Sequence, residues 1–206
     1  MADIMAAHAW RHNGWLIADV ARLGYLWAGL PTVDLTHGNG VFWKIWKPDH
    51  LIRCTNGEEP HQAALADVIC DFRDTPFADN QFAQTVFDPP YQPSGARSEA
   101  NASQTAHYGN AGLGRKQVTA LIQDGLTEAF RITAPRGTIV TKTGRGVDAG
   151  RLYHSGYVMA VQAEKLGLEI VNEFVMLTNP RSQSHRGPQK SPRSNYSTLT
   201  IWRKSK

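Results

Sequence analysis

An apolar run that ends in an acid, two prolines and an aromatic ring is the stretch of this 206-residue chain best equipped for chemistry: Thr85-Val86-Phe87-Asp88-Pro89-Pro90-Tyr91. Thr85 to Phe87 read as the end of a buried strand. Each proline lacks an N–H and fixes φ, so neither strand pairing nor helix can continue past Asp88. The Asp88 carboxylate, the free carbonyls of Pro89 and Pro90 and the ring of Tyr91 are therefore confined to one small space. A carboxylate held so rigidly can act on a ligand through position and electrostatics. The competing reading is a plain strand-end turn with a solvated acid and a core tyrosine.

A second stretch has ligand-binding character. Thr32 to Leu35 read as a short strand that runs into Thr36-His37-Gly38-Asn39-Gly40, and Val41 to Trp46 suggest a helix start. Gly38 and Gly40 permit positive φ and a close approach of ligand to backbone. Trp43 stands where the dinucleotide fingerprint has its third glycine, and no Gly-Lys-Ser/Thr follows. What remains is a turn suited to a less phosphorylated nucleoside ligand, with His37 either a contact or a solvated loop residue.

The elements needed to position these stretches are legible around them. Residues 15–28 read as an amphipathic helix, through Ile17, Val20, Ala21, Leu23 and Trp27, stopped by Gly29-Leu30-Pro31. Strands are expected at 51–55, 67–70 and 81–87. Helix 116–132 follows, then strand 138–142 broken by Gly144 and Gly146, helix 157–166, and strands 168–177 and 197–202. The last two strands have no helix between them and form an antiparallel pair at the sheet end. In open α/β sheets ligands bind beyond the carboxyl ends of the strands. Asp34, Asn56, Asp71 and Asp88 would all share that edge. Residues 92–115, rich in Ser, Ala, Gly, Asn and Gln, carry Arg97 and Arg115 and read as a mobile active-site loop leaving directly from Tyr91. Residues 179–195 form a basic loop.

Composition narrows the partners. Hydrophobic content is 41% and charged content 19%, the balance of a globular chain with one α/β domain over residues 1–206. The net charge is +4, yet seven Lys/Arg and no acid lie from Phe174 onward, leaving 15 basic and 18 acidic residues before it. A mildly acidic body with a basic end suits a polyanion met on one side, or is a solvated tail. Cys54 and Cys70 make no CxxC pair and read as buried thiols. No apolar run reaches membrane-spanning length and the first residues lack signal-peptide order, so a cytoplasmic location is expected.

Asp34-Leu-Thr-His-Gly-Asn-Gly40 followed by Asp88-Pro-Pro-Tyr91 resembles the S-adenosylmethionine-dependent amino-methyltransferases of DNA, over roughly residues 15–204. The segment Asp71-Phe72-Arg73-Asp74-Thr75-Pro76-Phe77-Ala78-Asp79 resembles their adenine-holding stretch. The resemblance implies an α/β, Rossmann-like class I methyltransferase fold: a seven-stranded, mostly parallel sheet with one antiparallel strand and helices on both faces. It implies S-adenosylmethionine as cofactor. Asp34, Gly38 and Gly40 would line its methionine half, with Thr36, His37 and Asn39 in the same turn. Asn56 would stand where an acid usually holds the ribose, a departure. Asp71 would accept from the adenine amino group, with Phe72 against the ring. Asp88 and the Pro89 carbonyl would take the two hydrogens of an exocyclic amine, with Pro90 stiffening the turn and Tyr91 stacking on the base. A base must leave its duplex to reach such a site. Arg97, Arg115, Lys142, Arg181, Arg186, Lys190 and Arg193 would meet nucleic acid. No metal is required. Asp at the first motif position points to adenine N6 in DNA. Cytosine N4, RNA adenine, a non-catalytic nucleic-acid-binding subunit and a protein glutamine amide stand as alternatives.

Overall fold

The computed structural model describes residues 5–8, 10–93, 113–148, 151–177 and 195–205. The elements in chain order are α1 (Asn13–Arg22), β1 (Thr32–Asp34), β2 (Leu51–Thr55), the single-turn α2 (Pro60–Ala63) and β3 (Val68–Ile69). They continue with β4 (Phe82–Phe87), α3 (Arg115–Ile132), β5 (Thr133–Asp148), β6 (Arg151–His154), α4 (Ser155–Lys165), β7 (Leu168–Leu177) and β8 (Tyr196–Lys204).

The main path of the sheet runs β3-β2-β1-β4-β5-β8-β7, with β6 paired to β5 off that path. Strands β1 to β5 pair in parallel, and β8 lies antiparallel between β5 and β7. The expected mostly parallel α/β sheet with one antiparallel strand is present, and β6 adds an eighth strand as a short antiparallel ribbon. The order reverses between β1 and β4. At such a switch point the chain departs to opposite faces and leaves a crevice at the carboxyl edge.

Period-two alternation loads the two faces. Val33, Leu35, Phe87, Ile139 and Trp202 pack with Val118, Ile122, Leu126 and Ala129 of α3 and Met159 and Ala163 of α4. Val86, Val140, Leu199 and Ile201 point the other way and pack with Leu16, Ile17 and Val20 of α1 and with Phe42 and Trp43. Because side chains alternate, Asp34, Asp88 and Lys142 belong to the α1 face, two residues beyond Thr32, Val86 and Val140. Asp34 and Lys142 thus continue core positions within their strands, and Asp88 does so directly after β4.

Several expected boundaries move. Helix α1 starts at Asn13, capped by His12 Nδ1, which accepts from Gly14 N–H (3.1 Å), and ends at Arg22. Gly24 (φ 82°) turns the chain there. Trp27 lies outside the helix because its backbone N–H and C=O both bond the side chain of Gln84. Val41–Trp43 form only one 3-10 turn. Strand β3 is two residues long, and Asp67 just before it bonds Arg53 through both its backbone N–H (2.8 Å to the Arg53 carbonyl) and its carboxylate. Gly144 and Gly146 do not break β5. Gly144 pairs with Ser197 and Gly146 with Tyr153, so the strand continues into the β6 ribbon. Among the described residues no helix is long and apolar enough to cross a membrane.

Candidate active site

The site is built where β1 and β4 part. Asp34, the last residue of β1, is buried. Its Oδ1 accepts from Thr36 N–H (3.0 Å) and its Oδ2 from Trp43 Nε1 (2.7 Å). Thr36 then reaches across the switch point, its hydroxyl oxygen accepting from the Asp88 backbone N–H (2.7 Å). One short relay therefore ties the glycine turn to the Asp-Pro-Pro-Tyr turn. The glycine turn itself is anchored by His37 N–H donating to Cys54 C=O (3.0 Å) and Gly40 N–H donating to His37 C=O (2.9 Å). Gly38 and Gly40 take φ of 52° and 63°. A Cβ on Gly40 would also press on the His37 ring at 3.0 Å, so a side chain is disfavoured there twice over.

Asp88 faces Lys142. The Lys142 ammonium donates to Asp88 Oδ2 at 3.2 Å, while Asp88 Oδ1 is buried and has no hydrogen-bond partner among the described residues. His37 Nδ1 is in the same condition. Both residues line a cavity of about 30 Å³ together with Asp34, Thr36, Val41 and Phe42. Buried polar atoms without partners are rare and ask for a ligand or water. Burial pushes the Asp34 carboxyl up to about 7, against the pull of its Trp43 and Thr36 bonds, with a small further push from Asp88. Burial also raises Asp88, opposed by the Lys142 ammonium. Burial and the charge of Arg53 lower His37. The buried Asp88 Oδ1, without a partner among the described residues, makes this cavity favour a cation or a hydrogen-bond donor.

The other expected site residues are placed as follows. Asn39 is exposed at the tip of the glycine turn. Asn56 is exposed just past β2, its Oδ1 accepting from Glu58 N–H (3.2 Å). Asp71 reaches the same edge, yet both its oxygens are engaged by Arg73, which holds the carboxyl below the usual range. Phe72 packs on Phe87 (centroids 5.3 Å apart) and under Gly125 of α3, where a Cβ would stand 2.8 Å from its ring. It is a core-edge ring as much as a ligand surface. Pro89 is buried and Pro90 half-buried. Tyr91 is half-buried against Gly144, where a Cβ would lie 2.7 Å from the ring. This contact explains a glycine inside β5.

Two nucleic-acid candidates sit differently from expectation. Lys142 is not a surface phosphate contact: its side chain is 7% exposed and ion-paired with Asp88, its ammonium 5.5 Å from the Phe42 ring centre and 6.0 Å from that of Tyr91. Arg115 opens α3 and donates to the Arg151 carbonyl while lying 5.8 Å from the Tyr153 ring centre. Arg97, Arg181, Arg186, Lys190 and Arg193 lie outside the described residues, as do most of the loops 92–115 and 179–195.

Sequence reasoning missed Phe42, Trp43 and the real neighbourhood of Lys142. Trp43 counted there only as an absent glycine. The signal for Lys142 was present in Ile139-Val140-Thr141-Lys142, whose alternation sends Lys142 to the face of Val140. A larger hollow of about 630 Å³ lies between α4 and β7/β8, lined by Tyr157, Ile170 and Trp202 among others. It contains none of the converging acids.

No family model matches this chain, and no curated protein matches it. Solved structures do. The chain is similar to Thermoplasma acidophilum 1320, with 10% identity over 93% of this chain and 88% of that one and a TM-score of 0.58. It is similar to TrmN from Thermus thermophilus, with 13% identity over 92% of this chain and a TM-score of 0.57, but spans only 48% of that protein. It is also similar to a SAM-dependent methyltransferase from Methanosarcina mazei, with 11% identity over 90% of this chain and 97% of that one and a TM-score of 0.52. The chain spans 52% of TTHA0409, also from Thermus thermophilus, at a TM-score of 0.46. The fold is Rossmann-like, of the class I methyltransferase type. Identities this low speak to the fold and leave the activity to the site.

Proposed function

We propose that the chain is an S-adenosylmethionine-dependent methyltransferase acting on the exocyclic amine of a nucleobase, with adenine N6 in DNA as first choice. One observation carries the reading. A buried carboxylate oxygen without a partner, Asp88 Oδ1, sits on a proline-stiffened turn beside a glycine turn, at the switch point of a methyltransferase-type sheet.

The residues present fit the cofactor chemically. The cavity of about 30 Å³ between Asp34 and Asp88 admits only one small group of such a ligand, and its acids suit a sulfonium or an ammonium there, while the Gly38 to Gly40 backbone allows close approach of the rest. Asp34 and the turn Thr36, His37, Gly38, Asn39 and Gly40 would hold the methionine half, and Asn56, Asp71 and Phe72 the nucleoside half. The cofactor, when bound, supplies an electrophilic methyl group. An exocyclic amine is a poor nucleophile because its lone pair is delocalised into the ring. Asp88 Oδ1 and the Pro89 carbonyl would accept its two hydrogens and favour a tetrahedral nitrogen with a usable lone pair. That nitrogen would form the new N–C bond as the methyl–sulfur bond breaks with its electron pair left on sulfur, and the amine would then give one proton to Asp88 Oδ1 or to water. Tyr91 would bound the base on one side, and Pro89 and Pro90 keep the acceptors from relaxing away. Arg115 and the basic residues Arg97, Arg181, Arg186, Lys190 and Arg193 would meet the phosphates of DNA or RNA.

The test is product identification. Protein, labelled cofactor and either DNA or RNA are incubated, and the polymer is digested to nucleosides. Label in N6-methyl-2′-deoxyadenosine from DNA is the expected result. Label in N4-methyl-2′-deoxycytidine or in RNA would redirect the substrate, and label in neither polymer would remove the nucleobase reading.

A further inference from the structure

The methyl-transfer reading leaves one buried charge without a task. An ammonium taken out of water is costly unless paired, and pairing alone needs no particular geometry. Here the geometry is particular. Lys142 Nζ engages Asp88 through Oδ2 (3.2 Å), the Asp88 backbone N–H is fixed on Thr36, and Asp88 Oδ1 stays buried without a partner among the described residues. The ammonium lies 5.5 Å from the centre of the Phe42 ring, which lines the cavity, and 6.0 Å from that of Tyr91 at the end of the acid turn. It pins one oxygen of Asp88, a residue that lines the same cavity, while the other oxygen stays unmet. A purely structural pair has no reason to leave one oxygen of a buried carboxylate unmet.

Resting on the methyl-transfer reading, we propose that Lys142 is a positioning residue of the reaction: its ammonium keeps the Asp88 carboxylate ionised and turned so that Oδ1 accepts the substrate amine. The charged and titratable groups facing Asp88 are Lys142 from β5, Asp34 from β1 and His37 from the glycine turn. Of these, Lys142 opposes the burial of the Asp88 charge and Asp34 repels it. Without Lys142, Asp88 would hold its proton to higher pH and present a hydroxyl in place of an acceptor. The substrate amine would then lose one of its two acceptors.

The experiment compares wild type with Lys142→Met, Lys142→Gln and Lys142→Arg. Methyl transfer to an adenine-containing single-stranded oligonucleotide is measured against pH, and the Asp88 carboxyl is titrated by carbon NMR, assigned with Asp88→Asn. In Lys142→Met the Asp88 midpoint and the acid limb of kcat should both move up by about one pH unit or more. Its kcat at neutral pH should fall about 100-fold, while KM for the cofactor changes less than about threefold. Lys142→Arg should hold the midpoint near that of wild type and recover part of kcat. Lys142→Gln serves as the neutral variant if the methionine does not fold. An unmoved titration overturns the role, whether kcat survives or falls, since a fall would then reflect packing. A wild type that transfers no methyl although the midpoint shifts as expected overturns the methyl-transfer reading and the reaction role built on it, leaving only the electrostatic pair.

Discussion

Lys142 and Lys204 are both buried lysines of the same sheet, and their surroundings are opposite. Lys204 ends β8 at the amino edge of the parallel strands, where Arg203 pairs with Thr138. Its ammonium donates to Asn80 Oδ1 (2.8 Å), Phe130 C=O (2.8 Å) and Thr133 C=O (2.7 Å). It closes the end of α3, where helix carbonyls have no partner of their own. Its three donors meet three neutral oxygens, and burial lowers its pKa. Lys142 lies at the carboxyl edge and meets a carboxylate that keeps one oxygen unsatisfied. At the amino edge Lys204 meets its partners in full, whereas at the carboxyl edge Asp88 leaves an acceptor for something else to fill. That asymmetry separates the structural end of the molecule from the candidate site.

The contrast can be broken by removing one group from each edge. Asp88→Asn keeps the shape of the turn but halves its acceptor capacity. Methyl transfer should fall about 1,000-fold with little change in melting temperature. Transfer that survives in a radiolabel assay would make the carboxyl edge as structural as the amino edge. Lys204→Met should do the reverse. It orphans two buried carbonyls and should cost about 3 kcal/mol in urea unfolding, while activity per folded molecule stays unchanged.

A pH series sharpens the comparison next. Asp34 holds its proton in the native state up to about 7, through burial. An unfolded aspartate releases it near 4. Between those values the native state binds more protons, so this group's contribution to stability falls as pH rises, by up to about 1.4 kcal/mol per unit. Asp67 and Asp71, lowered by their arginine partners, act in the opposite sense in every variant. The stability of wild type minus that of Asp34→Asn should therefore decline from pH 4.5 to 7, and a flat difference would mean that Asp34 is ionised throughout. The smallest effect is expected at Gly144→Ala. Its Cβ must displace the Tyr91 ring, and kcat should drop about tenfold, roughly 1.4 kcal/mol, without loss of strand β5. Unchanged kcat would separate Tyr91 from the reaction.

Long apolar periodicity carried most of the fold. The helix seen in Lys116 to Ile132 and the strands around Val33, Val86, Ile139 and Phe174 lie where the pattern put them, because burial of one face leaves a regular trace. The misplaced boundaries have local causes invisible to periodicity. Gln84, 57 residues downstream, holds both backbone groups of Trp27 and keeps it out of α1. Gly144 reads as a strand breaker until the ring of Tyr91 is seen to need its missing Cβ. The site was similarly half legible. Asp34, Asp88 and the glycines were recognisable from residue type and order, and the structure places them at one switch point. Lys142 was read as a phosphate contact because charge alone does not reveal burial.

By itself the sequence determined which residues end strands, and therefore that Asp34, Asn56, Asp71 and Asp88 share an edge. Proline after an acid and alternating apolar runs are local properties, and they mark strand ends without any knowledge of the pairing. Only the tertiary structure decided which of those acids meet a partner. Asp71 is closed by Arg73 two residues away, whereas Asp88 is held by Thr36 of the glycine turn and Lys142 of β5 and keeps one oxygen open. Hydrogen-bond satisfaction of a buried group depends on atoms brought together across the chain, and no pattern within a single strand encodes it.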